Sequence, residues 1–266
     1  MSGENNAAVP LRVPAAIPVS TAGILPTDAV AVIRDHLAPI LGPWATSSRV
    51  RLTRLPEPGL LRPLLAQVDV QLSAGRRVRA QVSAATMSEV VGLLAGRLIG
   101  QLTLYPDALA ECLRQRAGAL PPPTPPELHP PTVRRVVRRK VGQPATLPVT
   151  EAIAILEAMD YRFHLFREKY SHEESIVIRA GAGRYRILQA RPNPIGLEIT
   201  APPIALAALR RSSLVNAKAR LDLTGAAFDV FTDQQTGRLQ ALYARYDGHY
   251  GLLASTVTVR SAHGTS

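Results

Sequence analysis

Apolar and polar residues alternate over Ser48–Leu55, with Val50, Leu52 and Leu55 set against Arg49, Arg51 and Arg54, the pattern of a half-buried strand. Leu64–Leu72 predicts a second strand and Arg76–Ser83 a third, in which Val78, Ala80 and Val82 share one face and Arg77, Arg79 and Gln81 the other. Two helical patterns flank them. Pro26–Leu41 places Val30, Ile33, Leu37 and Ile40 on one face and stops at Gly42-Pro43; Thr86–Leu104 carries an unbroken stripe of Met87, Val91, Leu94, Leu98 and Leu102. Thr86 with Glu89 three residues on forms a capping box. An edge strand within residues 12–20, weakened by two prolines, opens the series, and residues 1–11 read as a loose tail. Pro106 opens a last short helix that fades at Gly118, so residues 12–118 read β-α-β-β-β-α. Gly92, Gly96 and Gly100 recur along another face of the long helix, which predicts a close neighbour there.

The second half reads differently. Phe228–Leu253 is punctuated at Asp233–Gly237 and Asp247-Gly248, giving strand, turn, strand, turn, strand. A helical pattern over Val215–Leu223 precedes it, with Gly225 as its left-handed cap. Sliding the chain on itself by 65 residues aligns window 149–188 with 214–253, and eight of 40 positions are identical, among them Phe163/Phe228, Phe166/Phe231, Gly183/Gly248 and Tyr185/Tyr250. The matches fall on the helix's small and apolar positions, the strand aromatics and a turn glycine, which set packing and turn geometry. The expected fold is therefore α+β: the N-terminal unit followed by two tandem α-β-β-β repeats, at 149–190 and 202–256. The first copy departs at its turns, with Lys169–Glu173 where the second has its Thr-Gly turn, and Ala180–Gly183 in place of Tyr-Asp-Gly. Residues 119–148 read as a proline-rich basic linker. Seven prolines between 118 and 133 suit a polyproline spacer of about 3.1 Å per residue, followed by Arg134, Arg135, Arg138, Arg139 and Lys140.

Charge sharpens this picture. There are 31 basic against 20 acidic residues, a net +11, and all but Lys140, Lys169 and Lys218 of the basic ones are Arg. Arg suits phosphate forks, although a GC-rich genome produces the same bias. Seven Arg lie between 45 and 85 against Glu57 and Asp69, so one face of the N-terminal sheet is expected to be basic, a surface for RNA phosphates or an ordinary solvated face. The candidate RNA-binding residues are Arg49, Arg51, Arg54, Arg76, Arg77 and Arg79, with Arg97 on the long helix and the linker's Arg134, Arg135, Arg138, Arg139 and Lys140. The lone Cys112 excludes an intramolecular disulfide and fits a reducing cytosol, no apolar run approaches a membrane span, and no basic segment precedes an apolar one at the N-terminus. A cytoplasmic location without membrane contact is expected. The six histidines are scattered, and neither a nucleophile elbow nor a phosphate loop occurs, so no catalytic residue, metal site or cofactor is expected. Phe163, Phe166, Tyr185, Phe228, Phe231, Tyr243 and Tyr250 are candidates for core or for a contact between the two copies.

The stretch FTDQQTGRLQALYARYDGHYGLL, with VVRRK at Val136–Lys140, resembles the C-terminal domain of long-form ribosome hibernation-promoting factors, and two tandem copies resemble the mycobacterial dormancy-associated translation inhibitor type. Arg77–Leu102 is similar to the last strand and long helix of that family's N-terminal domain, itself like a double-stranded-RNA-binding fold. The resemblance implies a non-enzymatic protein that binds the small ribosomal subunit, through rRNA and ribosomal proteins, and blocks its tRNA and mRNA channel. In single-copy relatives the C-terminal domain dimerises, so here the copies are expected to pair within one monomer. A general structured-RNA-binding protein and a protein-interaction adaptor remain as alternatives.

Overall fold

Alternation along the first strands is what builds the N-terminal layer. The computed structural model describes residues 17–42, 45–72, 75–102, 105, 126–181, 184–197 and 204–256. Its first elements are β1 (Val19–Ala22), α1 (Ala29–Leu37), β2 (Ala45–Arg54), β3 (Leu64–Leu72), β4 (Arg77–Ala84) and α2 (Met87–Leu102). The four strands lie in chain order, β1 parallel to β2 and the others antiparallel. One face carries Val50, Leu52, Val68, Val78 and Ala80, which share a core with Ile33 and Leu37 of α1 and Leu94 and Leu98 of α2. The start of α2 is fixed by its capping residues: Thr86 Oγ1 accepts the Glu89 N–H at 3.2 Å, and Glu89 Oε2 accepts the Ala85 N–H at 3.0 Å. The neighbour expected against the helix glycines is missing at Gly92, which is exposed and where an added Cβ meets nothing within 4 Å.

The remaining elements are β5 (Val136–Gly142), β6 (Thr146–Leu147), α3 (Val149–Ala158), β7 (Phe163–Glu168), β8 (Glu174–Arg179), β9 (Tyr185–Gln189), β10 (Ile204–Ala208), β11 (Arg211–Ser212), α4 (Leu214–Thr224), β12 (Phe228–Asp233), β13 (Leu239–Ala244) and β14 (Tyr250–Ser255). They make two five-stranded sheets, β10-β9-β8-β7-β6 and β11-β12-β13-β14-β5. In each, an outer strand comes from the far side of the sequence. β5 precedes α3 yet pairs in parallel with β14, and β10 precedes α4 yet pairs in parallel with β9. The basic run expected on an extended linker is therefore corrected: from Val136 onward it is a sheet strand. The physical reason is that the prolines end at Pro131 and the next is Pro144, leaving every intervening backbone N–H free to join a ladder.

Three apolar clusters set the layers. α3 covers Phe166, Val177 and Ile187 of one sheet, and α4 covers Phe231, Leu242, Tyr250 and Leu252 of the other. Between the sheets lie Ile176, Leu209, Leu239 and Ala241, with Phe163, Leu165, Ile178, Leu188, Val230 and Leu253 packed around them. The order of layers is helix, sheet, sheet, helix. The expected N-terminal tail, the short helix from Pro106, Cys112 and the first half of the proline spacer lie outside the described residues. No helix among the described residues is long and apolar enough to cross a membrane.

Candidate nucleic-acid interface

The outer face of the N-terminal sheet is built in cross-strand rows. Arg49, Asp69 and Arg79 are register partners, as are Arg51, Gln67 and Gln81, and Arg77 stands opposite Gln71. Asp69 accepts bonds from Arg79 Nε and Gln67 Nε2, both at 2.6 Å, so Arg79 is neutralised within the sheet. Arg49, Arg51 and Arg77 are exposed and form no ion pair among the described residues. Arg54, expected on the same face, is corrected: an odd spacing from Arg49 and Arg51 puts it on the opposite parity, at the end of β2 opposite the buried Leu64. Arg76 lies over the Tyr105 ring at 5.3 Å.

The same face forms one wall of an open cleft of about 780 Å³. Its other wall includes Arg138 and Lys140 of β5, Tyr161 just before β7 and His164 in it, Tyr243 of β13 and Tyr246 just after it. Arg138 and Lys140 are two residues apart, so alternation sends both to the cleft side, and Arg139 is absent from the lining. Four contacts hold the walls together. Arg97 of α2 forms a bidentate pair with Asp160, the Arg79 guanidinium sits 5.9 Å over the Tyr161 ring, Ala158 joins the N-terminal core, and Glu127 Oε2 accepts the N–H groups of Leu61 and Arg62 at 3.0 and 3.2 Å.

Asp160 is informative because it is one of two described non-glycine residues with positive φ, at 54°. Gly225, 65 residues later, has φ 64°. A glycine adopts this conformation without cost, whereas Asp there accepts some strain and gains a carboxylate aimed at Arg97. His172 (φ 57°) stands in the same relation to Gly237 (φ 67°). Sequence reasoning missed Asp160, although its alignment with a cap glycine was the available signal.

The remaining predicted basic residues divide. Arg97 is committed to Asp160. Arg134 pairs with Asp222 at 3.0 Å, donates to the Tyr250 hydroxyl at 3.2 Å and to the His129 carbonyl, and so pins the start of β5 to α4. Arg135 is exposed, and its carbonyl accepts the Tyr250 N–H at 2.9 Å. The aromatics divide by parity. Phe163 meets Phe228 and Tyr243 across the two sheets, with centroids 5.3 and 5.9 Å apart. Phe166 and Phe231 lie three residues along their strands, hence on the opposite face, and with Tyr185 and Tyr250 they pack under the helices instead of between the sheets. Gly251 stands opposite Tyr243 in the ladder, and an added Cβ there would collide with the Tyr243 ring.

The model of the Sigma 54 modulation/S30EA ribosomal protein C terminus matches residues 132–187 and 206–252. Over 207 residues the chain is 33% identical to the dormancy associated translation inhibitor of Mycobacterium tuberculosis, in strains CDC 1551 and H37Rv, covering 73% of this chain and 71% of the relative. The N-terminal domain of Thermus thermophilus Protein Y aligns with 34% of this chain and 97% of its own, at 20% identity and a TM-score of 0.27. By its identity to the curated relatives over most of both chains, the protein belongs to the ribosome hibernation-promoting factor family, in the mycobacterial dormancy-associated translation inhibitor type.

Proposed function

We propose that this protein silences translation by occupying the ribosome, without turnover. The observation that carries this reading is the 33% identity over 207 residues to proteins named as translation inhibitors. In the mechanism we favour, residues 12–118 bind the small subunit in its tRNA and mRNA channel, and the exposed Arg49, Arg51 and Arg77 neutralise rRNA phosphates. Inhibition is then steric exclusion of tRNA and mRNA. The N-terminal unit, with two helices on one sheet face, serves as the double-stranded-RNA-binding-like module.

The two C-terminal units, at 149–190 and 202–256, act in this reading as tandem repeats folded into an intramolecular pseudo-dimer. Supporting it, β7 and β12 start 65 residues apart, as do β8 and β13, and each unit's sheet is completed by a strand that precedes the other unit's helix. Strand β5, with Arg138 and Lys140, then belongs to this paired body, which contacts a second ribosomal surface.

Cosedimentation with ribosomes at physiological salt tests the function. Replacing Arg49, Arg51 and Arg77 together by Ala is expected to weaken binding and to flatten its salt dependence by roughly 0.9 per lost phosphate contact, ~2–3 in all. Arg79 is left intact because its removal would strand Asp69. Unchanged binding by the folded triple variant excludes this face, and equally tight binding to naked duplex RNA favours a general structured-RNA binder.

A further inference from the structure

We infer that the cleft between the N-terminal sheet and the paired C-terminal sheets takes a short run of single-stranded RNA. The inference rests on the reading of the Arg51 face as an RNA surface and names the form of RNA that this part of it accepts.

Size comes first. At about 780 Å³ the cleft lies within the range of small-ligand sites, roughly 300–1,000 Å³. Recognition of an RNA duplex runs over about 16 base pairs and two minor grooves, which needs an open surface. A few unstacked nucleotides fit where a duplex does not.

Charge points the same way. Arg51 on one wall, and Arg138 and Lys140 on the other, form no ion pair among the described residues. The carboxylates in the lining are already held, Asp160 by Arg97 and Asp247 by Arg245 Nε at 2.8 Å. The cleft therefore presents unspent positive charge on both sides, as a groove that tracks a phosphate backbone requires.

Chemistry beyond charge favours nucleotides over a bare anion. Tyr161, Tyr243 and Tyr246 line the same space, and aromatic side chains are what unstacked bases stack on. Gln81, next to Arg51's partner Gln67 in the row, adds an amide suited to base edges, while Gln67 spends its Nε2 on Asp69 and keeps its oxygen. His164 also lines the cleft, and its Nε2 has no hydrogen-bond partner among the described residues. A phosphate site alone would need neither the rings nor the amides.

Arg139 supplies an internal control, since it sits on β5 between the two lining cations and is not part of the lining. The test uses the full chain and a fluorescently labelled single-stranded hexaribonucleotide, read by anisotropy. Wild type is expected to bind, to be competed poorly by a duplex of the same composition or by a nucleoside monophosphate, and to lose affinity with salt. Arg138→Gln with Lys140→Gln on one wall, and separately Arg51→Gln on the other, should each weaken binding about tenfold, with Arg139→Gln near wild type. All four sites are exposed, and unchanged thermal melts confirm the fold. Absent hexamer binding, equal binding of duplex, full competition by the monophosphate, or an equal loss in Arg139→Gln each overturns the inference. Ribosome cosedimentation on the same samples separates the outcomes: a protein that pellets with ribosomes and ignores the hexamer loses only the cleft assignment.

Discussion

Arg134 shows how a residue's charge is spent once its neighbours are known. In sequence it heads a basic run and invites a phosphate; in the fold it shares Asp222 with Lys218 and the Tyr250 hydroxyl, at 3.0, 2.8 and 2.7 Å. Burial alone would raise the Asp222 carboxyl, but hydrogen bonds from Lys218, Tyr250 and Arg134, with the Lys218 charge, hold it below the usual carboxylate value. The folded pKa is thus lower than the unfolded one of about 3.9. The stabilisation is fully present above that unfolded value and is lost as pH falls through the folded one. Thermal melts are expected to drop below about pH 4 in the wild type. Asp222→Asn should melt lower at pH 7, by the cost of a half-satisfied buried cation, on the order of 1–3 kcal/mol, and lose less further stability on acidification. A variant with wild-type stability at pH 7 and the same acid profile would remove this network from the account of why β5 is docked.

At the scale of elements, β5 is where sequence and structure part. Its sequence Val136–Gly142 (VVRRKVG) does not alternate apolar and polar residues, so periodicity offers no strand signal, and proline-rich chain precedes it. What makes it a strand is a partner more than a hundred residues away, β14, and long-range pairing leaves no local trace. Where the signal was local it was legible: β3 matches its expected bounds, and Val78, Ala80 and Val82 share the buried face of β4 as alternation required. Phe163 and Phe166 divide the two roles open to them, core and contact between the copies, because a spacing of three puts them on opposite faces. The candidate site was half legible: the Arg49, Arg51 and Arg77 face follows from alternation, whereas Arg138 and Lys140 reach the same cleft only through the non-local pairing. Hydrogen exchange tests the element directly. Amides of 136–142 bonded to β14 should be protected far beyond random-coil rates, with 126–133 exchanging faster. Exchange of 136–142 at linker rates would return the basic run to a tether.

For the whole molecule, strand exchange decides assembly. A unit of one helix and three or four strands buries too little apolar surface to stand alone, so its open sheet face must be covered. Here the face of one unit, with Phe163, Leu165 and Ile176, meets Leu239, Ala241 and Val230 of the other inside one chain. The outer strands cross over as well, β5 to β14 and β10 to β9, so parting the two units would strip a strand from each sheet. An intramolecular partner acts at roughly millimolar effective concentration and outcompetes a micromolar free copy. On the pseudo-dimer reading the protein is therefore expected to be monomeric and to yield silenced single ribosomes. Light scattering gives the mass of the free protein, about 28.6 kDa if monomeric, and a sucrose gradient of ribosomes with added protein shows whether the pair peak grows. A stable homodimer together with a ribosome-pair peak would mean that the sheets also open to exchange between chains, while membership of the family would stand.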